Sequence, residues 1–245
     1  MDLFTQCASI IGKSQKIMFL TGAGMSTESG IPDFRSGTGL YQGQFHGLKP
    51  ETILSLSFFK QNPSVFWDYI AQYLNCDSAK PNIGHQIIAK WEETKNITVV
   101  TQNIDQLHSM AGSKNVIEVH GNIKSCTCIG CGKKYELNDV LSNEEGYRCS
   151  CRSLIKPDIV LYEESVNKMS EVYPLLPSTD LLIVLGTSLT VYPVAMIPEL
   201  YNRRAKYMII INKTATPYYN ENNIIEIHES IGDTLKKIDY LLNYQ

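Results

Sequence analysis

Five of the seven cysteines fall between Cys126 and Cys151, and four of them form the pattern Cys128-Ile-Gly-Cys131 and Cys149-Ser-Cys151, with eighteen positions from 131 to 149. Two thiolate pairs at that separation offer four tetrahedral donors, the ligand set of a structural zinc ion. The second pair has one intervening residue rather than two, which tightens its turn but keeps both sulfurs available. Cys126 is a fifth thiol and a spectator. With no histidine in the group, no coordination position is left open for a catalytic metal. Unrelated buried thiols are the bland alternative. A zinc ribbon can also bind nucleic acid, but residues 122–157 hold six basic against four acidic residues, too mild an excess for phosphate binding.

A second group follows an apolar run. Thr21-Gly-Ala-Gly-Met-Ser-Thr-Glu-Ser-Gly30 comes directly after Lys16–Thr21, where a strand-to-helix turn can aim backbone N–H groups and a helix N-terminus at a pyrophosphate. The dinucleotide fingerprint expects a third glycine at position 27, and Thr27 stands there, so a plain tight turn remains the alternative. Ile31-Pro-Asp-Phe-Arg35 then adds more polar chemistry than a packing loop requires. Arg35 can hold phosphate, and Phe34 can cover a flat ring.

Thr101-Gln-Asn-Ile-Asp-Gln-Leu-His108 lies at the carboxyl end of a third feature, the run Ile97–Val100, the edge at which open α/β sheets bind ligands. Gln102, Asn103 and Asp105 are candidates for ligand contact; helix capping by Asn103 or Asp105 is the alternative. His120 ends the run Val116–Val119, where an imidazole with an ordinary pKa of about 6.5 can act as general base. It is preferred over His46, His85, His108 and His228 because it ends a buried strand beside the presumed cofactor crevice.

These groups must be positioned by the remaining chain. Short apolar runs at Lys16–Thr21, Ile97–Thr101, Val116–Val119, Asp158–Leu161, Leu181–Leu185 and Tyr207–Ile211 have the length of buried strands. Helical spacing separates them at Ser64–Leu74, Ile83–Trp91, Ile104–Met110, Val194–Tyr201 and Ile231–Leu242. Alternation of this kind predicts an α/β fold with a parallel sheet. Residues from about 35 to 75 and from about 122 to 157 interrupt the rhythm and are expected to form a second, smaller domain; the cysteine stretch reads as turn-like.

The 245 residues allow one large domain or one large and one small. A formal charge of −3 gives no bulk attraction to nucleic acid or anionic lipid. The longest uncharged stretch, Leu181–Pro198, contains glycine, hydroxyl residues and two prolines that break a spanning helix. No membrane segment is expected, and with no basic region before an apolar run at the start, the expected compartment is the cytoplasm.

Together these stretches resemble the sirtuin family of NAD-dependent protein deacylases. The resemblance rests on Gly22-Ala-Gly-Met-Ser26 with Gly30-Ile-Pro-Asp-Phe-Arg35, Pro81-Asn82 with His85, Thr101-Gln-Asn-Ile-Asp105 with Leu107-His108, Ala111-Gly-Ser113, His120-Gly121, the cysteine pairs, Gly186-Thr-Ser-Leu189 with Val191 and Pro193, and Ile211-Asn212. The short chain looks like a bacterial member. It implies a Rossmann-like domain of residues 1–34, 76–121 and 158–245, with a smaller inserted domain made of the helical insert 35–75 and the zinc-binding module 122–157. NAD as cosubstrate and an acyl-lysine peptide would meet in the cleft, with one structural zinc nearby.

The same resemblance implies that the acyl oxygen attacks the anomeric carbon of the nicotinamide ribose, nicotinamide leaves, and the acyl group passes to ADP-ribose. Here His120 would be the base and Asn103 would orient ribose and water. Asp105 and the backbone at Ile104 would hold the nicotinamide amide, while Ala23, Thr27, Phe34, Arg35 and Gln102 would line ribose and phosphates. Thr187 and Ser188 would contact the ribose and phosphate side, and Asn212 and Ile231 the adenosine end. The peptide would pair as an added strand between Val160–Glu164 and Gly186–Tyr192. The family usually has glycine where Glu163 stands, which singles that position out. No arginine occurs around Tyr69–Tyr73, so neutral acyl groups such as acetyl are expected. A mono-ADP-ribosyltransferase is the chemical alternative, and a hydride-transferring dehydrogenase a more distant one. The chain is expected to act as a monomer.

Overall fold

The computed structural model of the chain describes residues 2–33, 43–143, 146–202, 206–218 and 222–243. Its centre is a six-stranded parallel sheet in the order β3-β2-β1-β7-β8-β9. The strands are β1 (Lys16–Thr21), β2 (Asn96–Thr101), β3 (Val116–Glu118), β7 (Leu181–Leu185), β8 (Met208–Ile211) and β9 (Ile224–Ile227). From β1 the chain builds outward to β2 and β3 on one side and later to β7, β8 and β9 on the other. The strand order therefore reverses at β1, and ligand crevices open at the carboxyl ends of strands at such a point.

Side chains alternate across this sheet, as a pleated strand requires. Ile17, Phe19, Ile183, Leu185, Ile209 and Ile211 enter one core, packed against α1 (Leu3–Lys13), α5 (Ile83–Trp91) and α10 (Ile231–Asn243). Met18, Leu20, Leu182, Val184, Met208 and Ile210 enter the opposite core with α8 (Met169–Val172) and α9 (Met196–Asn202). Strands covered on both faces read as continuous apolar runs, which is why five of the six strands were visible in sequence. The sixth, β9, follows the polar stretch Asn220–Asn223 and alternates with Glu226, and α1 is a further element outside the segments that the sequence marked as helical.

The run Asp158–Leu161, expected in the large sheet, belongs instead to β6 (Ile155–Ile159) of a three-stranded antiparallel sheet ordered β5-β4-β6. β4 is Gly121–Cys128 and β5 is Lys134–Glu136, so the cysteine stretch is more regular than its composition indicated. Only one face of this small sheet is buried, and its short strands carry little apolar periodicity. Its core joins Ile123, Cys126, Ile155 and Ile159 to α2 (Pro50–Ile53), α3 (Leu56–Gln61), α4 (Pro63–Tyr69) and α7 (Leu137–Leu141). α4 continues as a π turn over Ile70–Leu74, and α6 (Leu107–Met110) follows β2. No helix among the described residues is long and apolar enough to cross a membrane.

Beneath β1 and β2 two buried histidines meet, His85 of α5 and His108 of α6, with ring centroids 4.6 Å apart. Asn82 N donates to His85 Nδ1, and His108 Nε2 meets Thr21 Oγ1 at 3.1 Å. Burial pushes both imidazoles towards neutrality: His85 falls to about 4, and His108 drops well below its ordinary range through burial and then the His85 charge. Between pH 4 and 6.5 the unfolded chain therefore binds more protons than the folded one, so stability rises with pH in that window. From pH 5 to 7, His85 alone should contribute a rise of about 2 kcal/mol. Urea melts at the two pH values check this; the rise should shrink in a His85→Gln variant, and an unchanged slope there would refute the assignment.

Candidate active site

The floor of the site is two strand ends in backbone contact. After β1, Gly22 N donates to Leu185 O at 3.0 Å and Gly24 N to Gly186 O at 2.8 Å. A Cβ on Gly24 would lie 2.7 Å from Gly186 Cα, and Gly186 itself takes φ +57. No side chain fits on either residue. The chain then winds into a 3₁₀ helix, Ala23–Ser29, rather than the α-helix expected after the strand. Thr27, at the position of the missing third glycine, donates its hydroxyl to Gly24 O. Of the first N–H groups of this turn, those of Gly24 and Met25 are taken by Gly186 O and Gly22 O, so they are not free to meet an anion.

Buried polar side chains join this turn to the loop after β2. Ser26 Oγ donates to Asp105 Oδ2 at 2.6 Å and accepts from Asn103 Nδ2 at 3.0 Å. Because the single serine proton is committed to Asp105, Asn103 must present its NH₂ to Ser26, which fixes the amide's orientation. Asp105 Oδ1 accepts from Leu107 N at the start of α6, but the N-cap is Gln106 and makes no side-chain cap bond, so neither Asn103 nor Asp105 is the capping residue. Burial raises the Asp105 carboxyl, opposed by its Ser26 bond. Ser26 lies inside a motif visible in the sequence, but its bridging role could not be read there.

Gln102 connects three strand ends. Its N–H donates to Thr21 O, its Nε2 to Thr187 Oγ1 at 2.9 Å, and its carbonyl oxygen faces His120 Nδ1 at 3.1 Å. A carbonyl can only accept, so Nδ1 carries the proton and Nε2 keeps its lone pair. Burial lowers the His120 pKa from 6.5, against the opposing effect of the Gln102 bond, and the ring is neutral near pH 7. Gly121, with φ +76, lets the chain turn at once into β4, and Val160 N donates to the His120 carbonyl at 2.9 Å.

Above this floor is a cavity of about 700 Å³. Ala23, Thr27, Gln102, Asn103, Ile104, His120, Thr187, Ser188, Asn212 and Ile231 all line it. Of the five histidines, only His120 is among the described lining residues. Asp105 sits one layer below, bonded as above. Phe34 and Arg35 lie outside the described residues. At one end Asn212 Nδ2 donates to Thr214 O, and Glu28 Oε1 accepts from Gly232 N at the start of α10. Sequence gave no sign of that Glu28 contact, since it links positions 204 residues apart. Leu54, Leu74, Ile104, Ile159 and Leu161 form an apolar patch of the lining, bordered by Tyr162, Glu163 and Glu164.

In the small sheet the sulfurs of Cys128, Cys131, Cys149 and Cys151 all lie within 4.8 Å of one another. Four sulfurs about 2.3 Å from one tetrahedral zinc stand about 3.8 Å apart, so the cluster fits that ion. Tyr135 OH donates to Cys149 Sγ, the kind of outer contact that steadies a thiolate ligand. Cys126 faces the core and takes no part.

Comparison with known proteins agrees with this arrangement. The chain is 42% identical over its whole length to the whole of an NAD-dependent protein deacetylase of Clostridium tetani. It is 41% identical to another from Cutibacterium acnes, covering 95% of this chain and 96% of that protein. Two solved structures are similar: a Sir2 complex with p53 peptide and NAD⁺ (TM-score 0.87, 34% identity, 100% of both chains), and a Sir2 variant with a deacetylated p53 peptide and 3′-O-acetyl ADP-ribose (TM-score 0.89, 34% identity, 97% of both chains). The Sir2 family model matches residues 22–193, from the glycine turn through the cysteine cluster to the loop beyond β7. This chain belongs to the Sir2 family.

Proposed function

We propose that the protein is an NAD-dependent protein lysine deacetylase, moving the acyl group of an acyl-lysine to ADP-ribose with release of nicotinamide. The relatives' names support this, and one observation in this chain carries it: a neutral His120 with a fixed tautomer shares one cavity with Asn103 and the glycine turn. NAD supplies an anomeric carbon joined to a cationic pyridine that leaves readily.

The chain's own residues orient the rest. Asn103, held by Ser26, directs its remaining amide oxygen at ribose and water, and the backbone at Ile104 faces the nicotinamide amide with Asp105 behind it. Ala23, Thr27 and Gln102 line ribose and phosphates; Thr187 and Ser188 stand on the same side, and Asn212 and Ile231 at the adenosine. His120 Nε2 would take a proton from a ribose hydroxyl, which then attacks the acyl carbon; the bond from that carbon to the lysine nitrogen breaks, the amine leaves with a proton, and one water is consumed in forming acyl-ADP-ribose. Prearranged dipoles of this kind lower a barrier because they need no reorganisation during reaction. The peptide lies between Val160–Glu164 and Gly186–Tyr192. The apolar patch favours a neutral acyl group, because a carboxylate placed against Leu54 and Leu74 would be desolvated without a partner. Zinc, held by Cys128, Cys131, Cys149 and Cys151, supplies folding energy to the small sheet and no chemistry to the reaction. We read the two sheets with their helices as two domains, with the boundaries that the sequence indicated except that the small one takes in Gly121 and residues 158–159, the ends of β4 and β6.

Three outcomes test this. With an acetyl-lysine peptide, His120→Ala should lower kcat by about 10²–10⁴ with the thermal transition unchanged; near-normal acetyl-ADP-ribose formation, measured by mass spectrometry, would reject the base. In the wild type, kcat/KM should fall on an acid limb whose midpoint lies below the ordinary 6.5, since the base must be unprotonated and burial lowers its pKa. Cys128→Ala should lose zinc, measured by atomic emission, and melt at lower temperature; full zinc occupancy in that variant argues against the four-thiolate site.

A further inference from the structure

Glu163 is a non-glycine residue with φ +76, in the left-handed region that favours glycine. It is the third residue of a turn in which Glu164 N donates to Leu161 O at 3.1 Å, the position that type II turns fill with glycine or asparagine. Glu164 Oε2 also accepts from Leu161 N and pairs with Lys156 Nζ at 2.9 Å, so the turn is closed without any help from Glu163. The Glu163 carboxylate reaches elsewhere. One oxygen accepts from Ser57 N at 2.9 Å and the other from Ser57 Oγ at 2.8 Å.

Ser57 is in the first turn of α3, and Ser57 N is one of the donors a helix leaves unpaired at its start. Beside this contact a short parallel ladder joins the same two segments: Tyr162 N donates to Leu54 O and Leu56 N to Tyr162 O. Leu54, Leu161, Tyr162 and Glu163 all line the large cavity. A strained backbone that places a charged side chain bidentately on another segment is a feature whose cost must be offset by what it holds.

We propose that Glu163 is a positioning residue: a latch fastening the start of α3 to the 161–164 turn, which sets the wall against which the acyl-lysine peptide lies. This rests on the deacetylase reading and deepens it. Unlatched, the two segments must be ordered by the incoming peptide, so the loss falls on peptide affinity and spares NAD, none of whose assigned contacts lies in either latched segment.

Glycine is the informative replacement, because it relieves the backbone strain while removing the latch and cannot fail through misfolding of the turn. Glu163→Gly and Glu163→Ala should each raise KM for an acetyl-lysine peptide about five- to tenfold, with KM for NAD unchanged. Glu163→Gln, whose amide can accept from Ser57 N and donate to Ser57 Oγ, should restore most of the affinity. Hydrogen exchange at the Ser57 amide should quicken in the first two variants and not in the third. An unchanged peptide KM in Glu163→Gly, or an equal rise in KM for NAD, overturns the latch. A wild-type protein that releases no nicotinamide with the peptide overturns the deacetylase reading, and the latch with it; wild-type turnover beside an unaffected Glu163→Gly overturns the latch alone.

Discussion

The backbone contact between Gly24 and Gly186 is the constraint on which the rest depends. Two strand ends of a parallel sheet are ordinarily held apart by their side chains, and here they close to a 2.8 Å hydrogen bond because neither residue has one. The contact brings the turn after β1 and the loop after β7 onto one surface at the reversal of strand order. The cavity opens directly above it, and Thr187, the residue after Gly186, is placed to accept from Gln102. A methyl group at either glycine would lever these loops apart and dissolve the floor of the site.

From that floor, polarity is passed along by groups with one choice each. Ser26 has one proton and gives it to Asp105, so Asn103 has one orientation; Gln102 has a carbonyl, so His120 has one tautomer. Each partner is buried or nearly so, where an unmet hydrogen bond is costly and alternatives are few. The site is thus ordered by the limited number of donors and acceptors available, more than by any single strong bond. The same economy holds below the sheet, where His85 and His108 stay neutral for want of solvent.

The three-stranded sheet serves the site from the other side. β4 begins at Gly121, directly after His120, and the segment leaving β6 returns an N–H from Val160 to the His120 carbonyl. The histidine is therefore clasped between the large sheet, through Gln102, and the small one. The cysteine cluster lies at the far end of that small sheet, too distant for chemistry at His120, and it steadies the strands from which the cavity wall grows. Glu163 then ties that wall to α3.

Much of this was written in the chain. Strands buried on both faces announce themselves as apolar runs, the glycine turn and cysteine pairs are local patterns, and His120 is marked by its place at a strand end. What local pattern could not carry was partnership across distance. β9 is hidden because polar residues surround its short run, and the run at Asp158–Leu161 looks like its neighbours although it pairs in the small sheet. The sequence by itself determined which residue types meet at the carboxyl ends of the strands, since composition and spacing fix the elements and their chemistry. Only the tertiary structure decided which proton each of them holds and which residues serve them, Ser26, Glu28 and Ser57 among these, because hydrogen-bond direction is set by neighbours that the fold brings from far along the chain.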